Sequence, residues 1–180
     1  MLLKSPNTKF LTDIKIQNSN QHLTNIINIL PLTKFKTTNR FVCSLGKDYD
    51  YSGQTAKAYP FSLYPPIESL MNRINLELGT NFNSCLVNYY PKGVSVGIGK
   101  HKDDVRSLKS DLVVSVSLGG DCTFILSDTY KGTPTEEVKV TLKNGDVFLM
   151  AENCQKFYYH SIPYSKPLED RVSLTFREFI

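Results

Sequence analysis

The sequence lacks any uninterrupted apolar run of about 18 residues, so it predicts no transmembrane helix. Its first ten residues, MLLKSPNTKF, contain too short an apolar stretch for a secretory signal, and we expect an intracellular protein of the cytoplasm or nucleus. Only four cysteines occur, and none forms a C-x-x-C pair, which argues against a disulfide framework or a zinc site. We therefore expect buried or incidental thiols in a reducing compartment.

Acidic residues are scarce in the first 47 positions, where Asp13 is the single one. The seven basic residues there are Lys4, Lys9, Lys15, Lys34, Lys36, Arg40 and Lys47. The net charge of the whole chain is only +4, which slightly favours a polyanionic partner. Two interpretations of the basic segment stay open: a solvated, partly flexible N-terminus, or contact with phosphates.

The chain has 180 residues, enough for one domain with a substantial core. The stretch HLTNIINIL predicts a short helix that ends before Pro31. Residues 40–66 combine glycine, proline and tyrosine, a composition that disfavours a regular helix or a central strand. We expect an ordered loop or hairpin that presents aromatic rings.

One longer helix is predicted after this segment, because PIESLMNRINLELG places its apolar residues on one helical face and ends at Gly79. Five short runs that follow predict strands: SCLVNYY, DLVVSVSLGG, CTFILSD, EVKVTLKNGDVFLMA and RVSLTFREF. Asn144-Gly145 predicts a tight turn inside the fourth run. In DLVVSVSLGG, serines alternate with valines and leucine, as in a strand with one buried face. The expected fold class is α+β, mainly β: a double-sheet jelly roll whose mouth could hold a metal.

Histidine is also scarce, and two of the three histidines fit a metal site. In a strand, His101 and Asp103 point to the same face, because side chains repeat every two residues. His160 is the strongest candidate for a third ligand. Two imidazoles and a carboxylate can occupy one face of a ferrous ion and leave three positions for a cosubstrate and O2. The alternative is that Asp103 and Asp104 are surface charges and His160 is a hydrogen-bonded core histidine.

A row of polar residues follows the second histidine. Arg171, Ser173, Thr175 and Arg177 share one strand face, with apolar residues on the other. Arginine suits bidentate pairing with carboxylates, so this face could anchor a dicarboxylate. The arginine face points either into the barrel or out to water, and both options stay open.

Together these motifs resemble the AlkB-like family of Fe(II)/2-oxoglutarate-dependent dioxygenases, which remove alkyl groups from nucleic-acid bases. The resemblance lies in NFNSCLVNYYPKG, GKHKDD, YYHSIP and RVSLTFR, and more loosely in GKDYDYSG, over about residues 40–177. It implies a double-stranded β-helix with supporting N-terminal helices and a nucleotide-recognition lid. We expect one domain, with an extension over residues 1–35, a lid region over 36–66 and a catalytic core over 67–180.

The resemblance also implies roles for individual residues. The iron ligands would be His101, Asp103 and His160. The implied cosubstrate residues are Arg171 at the distal carboxylate with Tyr90 beside it, Asn88 and Arg177 near the other end, and Ser173. The implied base-recognition residues are Tyr51 as the stacking ring, with Tyr49, Ser52 and Asp104 nearby.

Two positions depart from the family's pattern. Ser173 stands where the family often has asparagine, which gives a hydrogen-bonding group of shorter reach. Val105 stands where the family commonly has an acidic residue associated with base recognition, a role that Asp104 could partly take. The departure at Val105 leaves the base preference open.

The resemblance implies an iron enzyme that uses 2-oxoglutarate and O2 to demethylate N-alkylated bases in DNA or RNA. We expect it to act as a monomer, without membrane association. The first alternative is the same chemistry on a protein side chain, which Val105 and the modest charge permit. The second is a non-catalytic nucleic-acid-binding jelly roll, for which the set of His101, Asp103, His160 and Arg171 would be unnecessary.

Overall fold

The computed structural model describes residues 5–36, 38–51, 54–103 and 108–180. Its strands in chain order are β1 (Thr8–Phe10), β2 (Thr33–Lys34), β3 (Phe41–Leu45), β4 (Tyr49–Tyr51), β5 (Gln54–Ala56), β6 (Ala58–Tyr59), β7 (Ser84–Tyr90), β8 (Val96–His101), β9 (Val113–Gly119), β10 (Cys122–Ser127), β11 (Glu137–Leu142), β12 (Val147–Met150), β13 (Tyr159–Ser165) and β14 (Arg171–Arg177). Its helices are α1 (Ser19–Ile29), α2 (Pro65–Leu78) and α3 (Cys154–Phe157), with a 3-10 turn at Phe61–Leu63.

Two sheets form the body of the molecule. The larger has the strand order β1-β12-β9-β14-β7-β3-β2, with β6 paired to the end of β3. The smaller has the order β11-β10-β13-β8, and β4 with β5 makes a separate hairpin. The predicted mainly-β jelly roll with supporting helices is confirmed.

The main core lies between the larger sheet and the two long helices. Val116 and Leu174 of the sheet belong to one cluster with Ile26 of α1 and with Ile67 and Ile74 of α2. Both helices are amphipathic, and they bury their apolar faces against the sheet. Helix α2 ends where predicted, since Gly79 takes a left-handed conformation (φ 63°) at its C-terminus. Helix α1 also ends before Pro31, as predicted.

The opposite face of the larger sheet packs against the smaller sheet. A second cluster between the sheets includes Phe124 and Leu126 of β10 with Phe148 and Met150 of β12. Strand β9 is therefore buried on both faces, and the expectation of only one buried face was wrong. Its serines do not face water. They point into the interior between the sheets, on the same side as the arginine face of β14.

The structure also tests what the sequence predicts for residues 40–66, for the Asn144-Gly145 turn and for the cysteines. The hairpin predicted within residues 40–66 exists as β4–β5, but β3 lies inside the larger sheet between β7 and β2, so excluding a central strand was wrong. The sequence FVCSL contains no glycine or proline, and the turn-forming residues begin only after Leu45.

The turn at Asn144-Gly145 exists (Gly145 φ 88°), but it joins β11 and β12, which belong to different sheets. All four cysteines are free and buried, as expected.

None of the helices in the described parts of the chain is long and apolar enough to cross a membrane.

We predict that replacing Ile74 by alanine destabilises the fold. Ile74 is fully buried between α2 and the sheet, and removing a buried isoleucine side chain costs about 2–5 kcal/mol of unfolding free energy. Leu76 on the same helix is 88% exposed, so Leu76→Ala should change that free energy by less than about 0.5 kcal/mol. Urea unfolding followed by circular dichroism compares the two variants, and equal losses would contradict the packing described above.

Candidate metal and cosubstrate site

Three candidate ligands converge between the two sheets. His101 ends β8, His160 lies near the start of β13, and the two residues are directly opposed across the antiparallel ladder of the smaller sheet. Asp103 follows two residues after His101. Gly97 permits the close packing of these strands, because a Cβ there would lie only 2.6 Å from the Ile162 carbonyl oxygen.

The ligand atoms form a compact group. The Nε2 atoms of His101 and His160 lie 3.9 and 4.0 Å from Asp103 Oδ1. One ligand atom from each residue falls within 4.8 Å of the others, a spacing that suits three ligands of one ion. The structure thus brings together all three residues that the sequence predicted as metal ligands.

The Asp103 carboxylate is held by Arg177 of β14. Asp103 Oδ2 accepts hydrogen bonds from Arg177 Nε at 3.1 Å and Nη2 at 2.8 Å. Burial alone would raise the pKa of Asp103, but the charge and the hydrogen bonds of the Arg177 guanidinium lower it to about 2. The carboxylate is therefore ionised, and its other oxygen, Oδ1, is buried and accepts no hydrogen bond from any described residue.

Both imidazoles are neutral in this environment. Burial, followed by the neighbouring His101, lowers the pKa of His160 to about 3. Burial also lowers the pKa of His101, outweighing the opposite effect of Asp103. His101 Nδ1 lies 2.9 Å from the Gly99 carbonyl oxygen, which can only accept, so Nδ1 carries the proton and Nε2 is the ligand atom.

These residues fit an iron ion on structural grounds. An orphaned, ionised carboxylate oxygen beside two neutral imidazole nitrogens is a donor set that a divalent cation satisfies. A buried acceptor without any partner is costly, so the site is built for a ligand. His101, Asp103 and His160 would hold the ion.

The arginine face of β14 points into the molecule, which resolves the orientation that the sequence left open. Arg171 Nε donates to Ser117 Oγ of β9 at 3.0 Å, and its guanidinium carbon lies 5.0 Å from the centre of the Tyr90 ring. Arg171 Nη1 is buried and has no hydrogen-bond partner among the residues that the structure describes. Ser173 lies between Asn88 of β7 and Ser117 of β9 in the ladder.

The predicted cosubstrate residues share one cavity with the metal ligands. Asn88, Tyr90, Arg171, Ser173 and Arg177 all line it. Arg171 has a buried donor available to a carboxylate, whereas Arg177 is engaged with Asp103. Their contacts with a cosubstrate remain predictions.

The predicted base-recognition residues are described only in part. Tyr49 lines the cavity and is buried, with the Arg177 guanidinium 4.9 Å from its ring centre and the Phe179 ring in an edge-to-face contact with it. Tyr51 belongs to β4, and its side chain lies outside the described part of the structure. Ser52, Asp104 and Val105 also lie outside the described residues, so the roles assigned to them remain predictions.

Sequence reasoning missed several residues that support the site. Gln155 Oε1 accepts from the Asp103 backbone N–H at 2.9 Å, and the Phe124 ring stacks on the His160 ring at 5.5 Å between centres. Arg40, counted in the basic N-terminal segment, is buried in the cavity wall and is not a solvated residue. Only strand register, which motif spacing does not contain, could have placed Arg40 beside the site.

A jelly roll that holds two histidines and one carboxylate around one buried point defines a class, the non-haem iron oxygenases with a facial triad. Comparison with known families agrees. The family model described as the 2OG-Fe(II) oxygenase superfamily matches residues 14–177. This chain therefore belongs to the 2OG-Fe(II) oxygenase superfamily, and within it the chain is AlkB-like.

The similar sequences include AlkB homologues. The bovine protein named DNA oxidative demethylase ALKBH2 is 34% identical over 142 residues, covering 75% of this chain and 50% of that protein. Human alpha-ketoglutarate-dependent dioxygenase alkB homolog 3 is 32% identical over 137 residues, covering 72% of this chain and 47% of that protein. This chain thus spans about half the length of these curated relatives.

A solved structure described as that of OsALKBH1 has a similar fold. Its TM-score is 0.62 at 18% sequence identity, and the match covers 99% of this chain and 100% of that one. At this identity the likeness shows the fold.

We predict that His160→Ala abolishes tight binding of one divalent iron or manganese ion, because it removes one of three protein ligands. His22→Ala is the matched control: His22 Nδ1 contacts the Tyr64 hydroxyl at 2.6 Å, and the residue lies in α1, away from the site. Anaerobic titration calorimetry of both variants measures the difference. Unchanged metal affinity in His160→Ala would show that the ion binds elsewhere.

We also predict that Arg171→Leu weakens 2-oxoglutarate binding by about tenfold or more, since a charge-assisted pair contributes about 1.5–3 kcal/mol. Metal affinity should change little, because the hydrogen bond that Arg171 makes within the described part of the chain goes to Ser117 and not to a metal ligand. Titrating 2-oxoglutarate into manganese-loaded protein measures this effect. Equal losses of metal and 2-oxoglutarate affinity would indicate general unfolding.

Proposed function

We propose that this protein oxidatively demethylates N-alkylated bases in DNA or RNA, with Fe(II) as cofactor and 2-oxoglutarate and O2 as cosubstrates. The observation that carries the proposal is the cavity that contains both the metal triad, with its ionised carboxylate, and the unpaired donor of Arg171. The names of the relatives support the substrate, since one is called a DNA oxidative demethylase.

The bound iron would supply the oxidising power: O2 and 2-oxoglutarate yield succinate and CO2, and an N-methyl group is hydroxylated and lost as formaldehyde. The protein's part is to place the reacting groups and exclude water. His101, Asp103 and His160 offer three ligand atoms on one side, and Arg177 keeps the carboxylate ionised. Arg171, with Tyr90 under its guanidinium, would hold the distal carboxylate of the cosubstrate.

Access to the site favours a base that has left its stack. The triad is buried between the sheets, with Asp103 fully enclosed and His160 nearly so. A paired base in a duplex cannot reach such a point, so it must be flipped out or come from a single strand. Tyr51, the lid aromatic predicted from the sequence, would provide stacking of ~1–3 kcal/mol per base, with Tyr49 nearby.

The test is turnover on a panel of N-methylated DNA and RNA oligonucleotides, with formaldehyde and succinate measured together. We expect equimolar release of both by the wild type and loss of both in Asp103→Ala, which removes a metal ligand. Asp13→Ala, an exposed aspartate far from the triad in sequence, is the control and should behave as wild type.

Binding of 2-oxoglutarate without demethylation of any oligonucleotide would reject the nucleic-acid substrate, and a protein side chain would then replace it. The intracellular compartment and the monomeric state expected from the sequence remain predictions, and size-exclusion chromatography with light scattering tests the second.

A further inference from the structure

Arg40 is a buried cation in the wall of the candidate site. It directly precedes β3, whose Val42 is level with Asn88 of β7, so the register brings Arg40 level with Tyr90. Its side chain is 6% exposed and lines the same cavity as the triad and Arg171. Arg40 and Arg171 thus lie on either side of Tyr90, on one row across the sheet.

Among the described residues, the side chain of Arg40 contacts no anionic group. Its Nη1 donates to Asn88 Oδ1, and its guanidinium carbon lies 4.6 Å from the centre of the Phe35 ring. Its Nε is buried and has no hydrogen-bond partner within the described part of the chain. A buried cation held only by an amide and a ring is costly unless an anion completes the site.

Three buried side-chain atoms lack a hydrogen-bond partner in the described part of the chain: Asp103 Oδ1, Arg171 Nη1 and Arg40 Nε. All three residues line one cavity. A metal ion accounts for the first atom, and the distal carboxylate of the cosubstrate accounts for the second. The third atom, Arg40 Nε, belongs to a residue in the wall of the same cavity. We therefore associate Arg40 with the ligands that bind in this cavity.

The bond from Arg40 fixes the orientation of the Asn88 amide. An amide offers one oxygen acceptor and one NH2 donor group, whereas a guanidinium can only donate. Asn88 must therefore turn its oxygen to Arg40, and its NH2 group is directed away from that cation. Asn88 lines the cavity, so this NH2 group is available to a bound anion.

We propose that Arg40 is a positioning residue of the cosubstrate site: it holds Asn88 so that the amide NH2 group donates to bound 2-oxoglutarate. This inference rests on the proposed use of 2-oxoglutarate. It assigns a role to a residue outside the motifs from which the site was predicted.

The experiment measures 2-oxoglutarate affinity by titration calorimetry, with Mn(II) in place of Fe(II) so that no turnover occurs. Arg40→Met and Asn88→Ala should each weaken binding about tenfold, as expected for a hydrogen bond to a charged group. The double variant should be no weaker than the weaker single variant, because both substitutions remove one interaction. Arg40→Lys, which retains a cationic donor, should restore part of the affinity.

Asn88→Asp distinguishes positioning from a structural role. It retains a partner for Arg40 but replaces the NH2 donor by a charged oxygen, so it should weaken 2-oxoglutarate binding more than Asn88→Ala does. Arg73→Met is the matched control: Arg73 is exposed on α2 and donates to the Lys15 carbonyl oxygen, so affinity should not change. Thermal unfolding of every variant identifies any that fail to fold. If Arg40→Met is one of them, the 2-oxoglutarate affinity of Arg40→Lys tests the proposal in its place.

Multiplicative losses in the double variant would overturn the proposal, because Arg40 would then act independently of Asn88. Wild-type affinity in Arg40→Met would overturn it as well. So would an effect confined to the affinity for alkylated oligonucleotide, which would place Arg40 at the base. If the wild type itself fails to bind 2-oxoglutarate, the proposed function fails, and that result is distinct from those three.

Discussion

The candidate site depends on one buried ion pair, between Asp103 and Arg177. Removing one partner of such a pair costs about 3–5 kcal/mol, because the other charge is left buried and alone. Here the pair also has a chemical consequence. Both hydrogen bonds from Arg177 go to Oδ2 of the carboxylate, so Oδ1 stays directed at the two imidazoles. The guanidinium therefore fixes both the charge and the orientation of the carboxylate ligand.

The strand that carries Arg177 explains how the site tolerates so many buried polar groups. On one face of β14, Leu174 and Phe176 pack into the core against the helices. On the other face, Arg171 and Arg177 line the cavity. Strand β14 pairs with β7 and β9 over most of its length. The packed apolar face therefore holds the arginine face, whose burial is energetically costly, in place. Stability from the core thus supports a cavity whose unpaired donors and acceptor would otherwise favour rearrangement.

The sequence predicts the features that depend on local spacing. The apolar period of α2, the strands and the pair His101 and Asp103 all follow from residues a few positions apart. Features that depend on register between distant strands could not be predicted. The contact between Arg177 and Asp103 joins residues 74 positions apart, and Arg40 meets Asn88 across 48. Neither pair has a distinctive motif, since any arginine and any polar residue would match.

The same ion pair connects the metal site to the predicted lid. One cation lies between the two, since the Arg177 guanidinium bonds Asp103 and also lies 4.9 Å from the Tyr49 ring centre in β4. That contact occupies one face of Tyr49, and Phe179 makes an edge-to-face contact with the same ring. Tyr49 is also buried, so its ring is part of the wall that encloses the ion pair. A movement of this ring that displaced the guanidinium would disturb the carboxylate ligand as well, so the conformation of β4 and the geometry of the metal site are coupled through Arg177.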